Sequence, residues 1–226
     1  MIPLHDNNPT DIFPFVTVAL IVASVLVFFW QLSLGPEGQK VVYALGVIPA
    51  SLLQNKSLPP ELYRVPAELT LLTSMFLHGG WMHLIGNMLF LWIFGNNVED
   101  AMGHGRFIVF YIVSGLAAAL AQALPDPASV TPMIGASGAI SGVLGAYLLL
   151  HPRARVLVAI PIGFFVYATK LPAMLVLGFW FVLQLINSLL AGAGGGGVAW
   201  RAHVGGFVAG IVLIPIFKYR RVRLFH

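Results

Sequence analysis

The chain has 226 residues, of which 58% are hydrophobic and only 9% are charged. Because soluble domains average about 25% charged residues, this composition excludes a water-soluble globular protein and predicts an integral membrane protein. The formal net charge of +4 reflects a basic C-terminal segment, so it does not indicate nucleic-acid binding. The absence of cysteine excludes disulfides, a thiolate nucleophile and a cysteine-based metal site.

Apolar stretches alternate with short polar segments after a polar tail at residues 1–11. The proline-rich, mixed region at 35–69 is expected to form short interfacial helices and no span. The predicted fold class is therefore all-α, a polytopic membrane bundle forming one domain over residues 1–226. Six transmembrane helices are predicted, at 12–34, 80–101, 106–123, 137–150, 172–190 and 200–217.

Two further segments and the basic residues complete the predicted topology. Residues 156–168 are apolar but short and contain Pro161 and Gly163, which predicts an interfacial or re-entrant element. Residues 191–197 are almost all glycine, as is typical of a flexible connection. With six spans and cytoplasmic tails at 1–11 and 218–226, inner segments carry eight Lys and Arg residues and outer segments carry four. This distribution agrees with the positive-inside rule.

Ser137 lies in the sequence GASGAISG, which opens the fourth apolar stretch after a turn-prone loop. A serine flanked by glycines at a loop-to-helix junction is typical of an exposed nucleophile, although apolar helices also carry Ser and Gly for packing. Stripes of small residues four apart in the fourth and sixth stretches would let the two helix backbones approach closely and bring Ser137 to His203. These stripes are Gly138 with Gly142, and Gly206 with Gly210.

Polar side chains within apolar stretches are costly and mark functional sites by default. His83 and Asn87 are four residues apart and share one helical face, and His203 lies near the start of the sixth stretch. Each also has a structural interpretation: an interhelical hydrogen bond for His83 and Asn87, a buried hydrogen-bonded ring for His203, and a loop contact for His78.

Other polar residues are expected to serve the structure. Gln184 and Asn187 in the fifth stretch are interpreted as packing groups. Glu99 and Arg106, at the inner junction of the second and third stretches, are expected to form a hydrogen bond or charge pair.

The positions of the acidic residues favour a Ser-His dyad over a triad. None of the eight acidic residues follows Asp126, so the last hundred residues supply no carboxylate to His203. Asp126 itself is predicted to lie in an outer loop, and the sequence does not exclude it as the third member of a triad. In a dyad His203 acts as general base, and the Ser137 backbone N–H, at a helix start, is a natural oxyanion donor. Zinc bound by histidines is a competing interpretation, but no H-E-x-x-H motif and no nearby outer acid support it. No metal and no cofactor are therefore predicted.

Taken together, these motifs resemble the rhomboid family of intramembrane serine proteases. The resemblance rests on HGGWMHLIGN at 78–87, GASG at 135–138 and Ala202-His203 with the glycines that follow, in that order. It covers roughly residues 12–217 and implies a rhomboid-like bundle with a water-filled cavity opening to the extracytoplasmic side. The substrates it implies are transmembrane proteins in the lipid bilayer, cut in or beside a transmembrane segment with small residues at the cut. It also makes residues 191–197 part of a gate.

The resemblance implies a role for each singled-out residue. These are Ser137 as nucleophile, His203 as general base, His83 and Asn87 as oxyanion donors, and His78, Gly135, Gly138, Gly206 and Gly210 as structural residues near the site.

The sequence departs from the family pattern at two places. Some members place tyrosine four residues after the nucleophile, stacked on the histidine; Ser141 stands there, so the group that orients His203 is open. Some members also carry Trp-Arg in the first loop, where this chain has Leu69-Thr70.

The main alternative is a catalytically inactive rhomboid-like chaperone or adaptor, which would have lost Ser or His. A small transporter or channel is a second alternative, but it would need intramembrane acids or paired broken helices.

Overall fold

A computed structural model describes residues 1–190 and 198–225. It confirms a helical bundle whose long helices follow the predicted apolar stretches. Four helices within the described residues are long and apolar enough to cross a membrane: α1 (Phe15–Ser33), α6 (His104–Ala123), α8 (Ala173–Leu190) and α9 (Trp200–Phe217). The helix α7 has 14 residues, and α5 carries Asn, Glu and Asp side chains that lower its hydropathy. The bounds are α1 Phe15–Ser33, α5 Trp81–Met102, α6 His104–Ala123, α7 Ser137–Leu150, α8 Ala173–Leu190 and α9 Trp200–Phe217.

Three short helices lie between α1 and α5 in the proline-rich region, and their predicted interfacial position stays a prediction. They are α2 Gly38–Leu45, α3 Pro49–Gln54 and α4 Ala67–Thr73. This region holds the loop that precedes α7. Val47 and Met133 exchange two backbone hydrogen bonds of 3.0 and 2.8 Å, and the Gly135 N–H donates to the Ser74 carbonyl at 2.9 Å. These hydrogen bonds fix the position of the loop from which the chain enters α7.

The all-α prediction is wrong for two segments, which form a three-stranded antiparallel sheet in the order β1-β2-β3. The strands are β1 Ile2–Asp6, β2 Arg155–Ile162 and β3 Phe165–Pro172. Pro161 disfavours a helix in this region, and Gly163 adopts a left-handed φ of 60° in the tight turn between β2 and β3. Residues 156–168 thus belong to a hairpin, and their interfacial or re-entrant position stays a prediction. Part of the tail predicted at 1–11 is a strand.

Asp6 connects β1 to the helical bundle. The Tyr147 hydroxyl donates to Asp6 Oδ2 at 2.5 Å, and only 4% of the Asp6 surface is exposed. Burial raises the pKa of the Asp6 carboxyl above its ordinary value, and the Tyr147 hydrogen bond partly offsets this.

The buried centre of the bundle is α7, in which ten of the fourteen residues are buried. It contacts α9 backbone to backbone, because glycines on both helices leave no room for side chains. A Cβ atom added to Gly206 would overlap the Gly138 carbonyl, and one added to Gly210 would overlap Gly142. The order of these contacts shows that α7 and α9 run in the same direction. The predicted packing of the two glycine stripes is therefore present.

Glu99 has a different partner from the one expected. Its fully buried carboxylate accepts hydrogen bonds from Val16 N–H at 2.9 Å and from Thr17 N–H and Oγ1 at 2.8 and 2.7 Å, and lies 2.6 Å from His104 Nδ1. Arg106 points elsewhere, toward the Phe217 carbonyl. Because unpaired N–H groups give a helix N-terminus partial positive charge, the carboxylate fixes the start of α1. The Glu99–Arg106 pair does not form.

Candidate active site

Ser137 and His203 meet at the ends of two parallel helices. Ser137 is the first residue of α7, and His203 lies in the first turn of α9. His203 Nε2 is 2.9 Å from Ser137 Oγ. Gly206 packs against Gly138, and this contact places the turn of α9 that contains His203 beside the start of α7. Gly135 just before Ser137 has φ +118°, and a side chain there would collide with the His83 ring, so glycine is required.

Gln184 lies on the opposite side of the His203 ring. Its Oε1 atom is 2.8 Å from His203 Nδ1, and its Nε2 donates to the Trp180 carbonyl at 3.3 Å. The side chain is buried, with 7% exposed. Sequence reasoning assigned Gln184 to packing, because a partner on a different helix cannot be read from spacing along the chain. Its one signal is a polar amide in the middle of an apolar helix.

Two tryptophans complete the surroundings of His203. The Trp180 ring is 5.9 Å from it at an interplanar angle of 35°, and the Trp200 ring is 6.0 Å away and edge-on. Ser141, at the position where some family members have tyrosine, donates from Oγ to the Ser137 carbonyl at 2.6 Å. The aromatic contacts with His203 thus come from α8 and α9, and sequence reasoning missed both.

His83 and Asn87 face the Ser137–His203 pair from α5. All four residues line a cavity of about 880 Å³, together with Gln184 and other residues of α7, α8 and α9. The Asn87 side chain is 8% exposed, and its Nδ2 has no hydrogen-bond partner within the described residues. His83 Nδ1 accepts from the Gly79 N–H at 3.3 Å. An unpartnered amide donor beside a hydroxyl and an imidazole is suited to receive a developing negative charge.

His78 lies outside this constellation and connects α1 with the loop before α5. Its N–H donates to Gln31 Oε1 at 3.0 Å, and its Nδ1 is 3.1 Å from the Phe76 carbonyl. Burial, with a smaller effect from His83, lowers the pKa of His78 to about 4. The structural role that the resemblance implies for His78 stays a prediction.

Carboxylates and metal-binding clusters are not part of the described site. Among residues 1–190 and 198–225, no carboxylate hydrogen-bonds His203, and no group of three His, Cys, Asp or Glu side chains is placed to hold a metal ion. The gate predicted at 191–197 lies outside the described residues.

Comparison with known proteins identifies one family. The Rhomboid domain profile matches residues 60–220. The chain is 31% identical over 187 residues to RHOMBOID-like protein 1 of Arabidopsis thaliana, covering 83% of this chain and 41% of that protein. It is 30% identical over 200 residues to Rhomboid protease GluP of Bacillus subtilis, covering 87% and 34%. It thus spans roughly a third to two fifths of the length of these relatives.

Proposed function

Because the chain belongs to the rhomboid family, we propose that it is an intramembrane serine endopeptidase that cleaves transmembrane segments of other membrane proteins. The observation that carries this proposal is the 2.9 Å contact between Ser137 Oγ and His203 Nε2. A hydroxyl and an imidazole within hydrogen-bond reach form a nucleophile and its base. Their place in the wall of a cavity of about 880 Å³ gives them access to a substrate.

The proposed reaction needs only the groups of this chain and water. His203 Nε2 takes the proton of Ser137 Oγ while Oγ attacks the carbonyl carbon of the scissile peptide bond. The C–N bond then breaks, the imidazolium returns the proton to the leaving amine, and the acyl group stays on Ser137 as an ester. Water attacks this ester, His203 takes a proton from the water, and Ser137 leaves with that proton as the carboxylic product forms.

The charge on the tetrahedral carbonyl oxygen is stabilised by donors from two helices. The Ser137 N–H is at the start of α7, where N–H groups lack partners within the helix. Asn87 Nδ2 is buried without a hydrogen-bond partner among residues 1–190 and 198–225, and it supplies a second donor from α5. His83 supplies a third when its Nε2 carries hydrogen. The unpaired state of Asn87 supports this role, because a buried amide without partners is unfavourable unless a ligand uses it.

The proposed topology has six spans in one rhomboid-like membrane domain with cytoplasmic tails at 1–11 and 218–226. In this arrangement Ser137 and His203 lie near the extracytoplasmic side. Substrates are transmembrane proteins that present small residues and a readily unwound helix.

Labelling by a fluorophosphonate probe and cleavage of a reporter transmembrane substrate test the proposal. Both are measured on the full chain in proteoliposomes. Wild type should label and cleave, Ser137→Ala should do neither, and His203→Ala should lose cleavage. A folded wild type that neither labels nor cleaves would contradict the proposal and favour an inactive adaptor.

A further inference from the structure

We propose that Gln184 is a positioning residue that holds His203 in its base-competent tautomer, occupying the place that a carboxylate has in a catalytic triad. This inference rests on the proposed function. The geometry that carries it is a chain of four groups: Ser137 Oγ, the two ring nitrogens of His203 and the Gln184 amide.

A neutral imidazole carries hydrogen on only one of its two nitrogens. To accept the Ser137 proton, His203 must have its lone pair on Nε2 and its hydrogen on Nδ1. An acceptor at Nδ1 favours this tautomer, and an amide oxygen lies 2.8 Å away. An NH₂ group at the same place would favour the opposite tautomer and leave Ser137 without a base.

The Trp180 carbonyl determines which end of the amide faces the ring. A backbone carbonyl can only accept hydrogen bonds, so the Gln184 nitrogen must be the atom that approaches it, at 3.3 Å. The oxygen is then directed at His203. Because Trp180 is one turn before Gln184 on α8, the helix itself fixes the orientation of the amide.

A neutral acceptor suits this environment better than a carboxylate. Gln184 is 7% exposed on a helix apolar enough to span a membrane, and an ionised carboxylate is costly there. The amide keeps the ring in one tautomer without a permanent charge. It also accepts from the imidazolium during the reaction, when the Nδ1–H bond becomes charge-assisted and stronger.

The test compares three variants by steady-state cleavage in proteoliposomes. Gln184→Leu keeps the approximate size but removes the acceptor, and it should lower kcat about 10- to 100-fold, the range expected for a hydrogen bond to a charged group. KM should change little, because the Gln184 amide is engaged by His203 Nδ1 and by the Trp180 carbonyl. Gln184→Glu, protonated, can donate to the Trp180 carbonyl and accept from His203, so its kcat should stay within about three-fold of wild type and above that of Gln184→Leu.

Gln122→Leu is the matched control. Gln122 also bonds to α9, but its Oε1 accepts from the Ala202 backbone N–H at 3.2 Å and does not contact the imidazole. This variant should keep kcat within a few-fold of wild type, and thermal unfolding should show that all variants are folded.

Two results would overturn the inference: wild-type kcat in folded Gln184→Leu, or an equal loss in the Leu and Glu variants. An inactive, unlabelled wild type would instead contradict the proposed function, so the two failures are distinguishable.

Discussion

The backbone contact between α7 and α9 can be tested by adding one methyl group two helical turns away from His203. Gly210 lies seven residues after His203, about 10 Å along the helix. A Cβ atom at this position would overlap the Gly142 backbone. Because non-bonded carbon atoms need about 3.5 Å, we expect Gly210→Ala to force the two helices apart by on the order of 1 Å.

This separation of the two helices should lower the rate of cleavage strongly. It would lengthen the 2.9 Å contact between Ser137 Oγ and His203 Nε2 beyond ordinary hydrogen-bond range. A displacement of about 1 Å can cost about 100-fold in rate, so cleavage of the reporter substrate should fall by about that factor. Alanine has a helix propensity up to about 1 kcal/mol better than glycine, so a loss of activity would not reflect a weaker helix.

Gly178→Ala is the control for this prediction. Gly178 lies in α8, where an added Cβ meets no atom of the described residues within 4 Å, so cleavage should stay at the wild-type rate. Both variants are assayed in proteoliposomes, with thermal unfolding in detergent as the check on folding. Wild-type cleavage by Gly210→Ala, or an equal loss in Gly178→Ala, would refute the reasoning.

Four further predictions follow from the site, the sheet and the topology. Asn87→Ala should lower kcat by about 10²–10³, the usual effect of one lost oxyanion donor, while the protein stays folded; wild-type turnover would assign Asn87 to packing. Asp126→Asn should cleave normally and chelators should not inhibit; a folded but dead variant, or zinc-restored activity, would contradict the dyad. Because the pKa of Asp6 is raised in the folded protein, its contribution to stability is present below the unfolded pKa of about 3.9 and is lost as pH rises through the folded pKa. The unfolding temperature of wild type should therefore fall as pH rises from the unfolded to the folded pKa, and it should fall less in Asp6→Asn. An equal fall in the two proteins would exclude a contribution of Asp6 to this pH dependence. A reporter fused after Arg223 should be cytoplasmic, and an external signal would contradict six spans.

The sequence predicts correctly those structural features that depend on a local pattern of residues. Apolar length predicted the helices, and glycines four residues apart predicted the contact between α7 and α9. The family resemblance, confirmed by the Rhomboid domain match, assigned roles to Ser137 and His203. Those roles and the six-span topology remain predictions, although the two side chains lie 2.9 Å apart.

Features that depend on distant partners could not be predicted. The strand β1 pairs with β2 about 150 residues later in the chain, and nothing in a polar N-terminal segment indicates that partner. The sequence indicated only a packing role for Gln184, because its contact with His203 depends on how the next helix packs against α8. Glu99 was paired with nearby Arg106, whereas its partners include the first turn of α1, more than 80 residues earlier.

The length of α7 has a consequence for where a substrate is cut. Fourteen residues rise about 21 Å, whereas the hydrocarbon core of a bilayer is about 30 Å thick. In the proposed topology Arg153 and Arg155, just after α7, mark the inner surface, so Ser137 lies about 9 Å below the outer one. A substrate helix at that depth is about six residues inside its own outer end. Under the proposed function, bilayer thickness would help to select the scissile bond, and a thicker bilayer would move the cut further from the substrate's outer end.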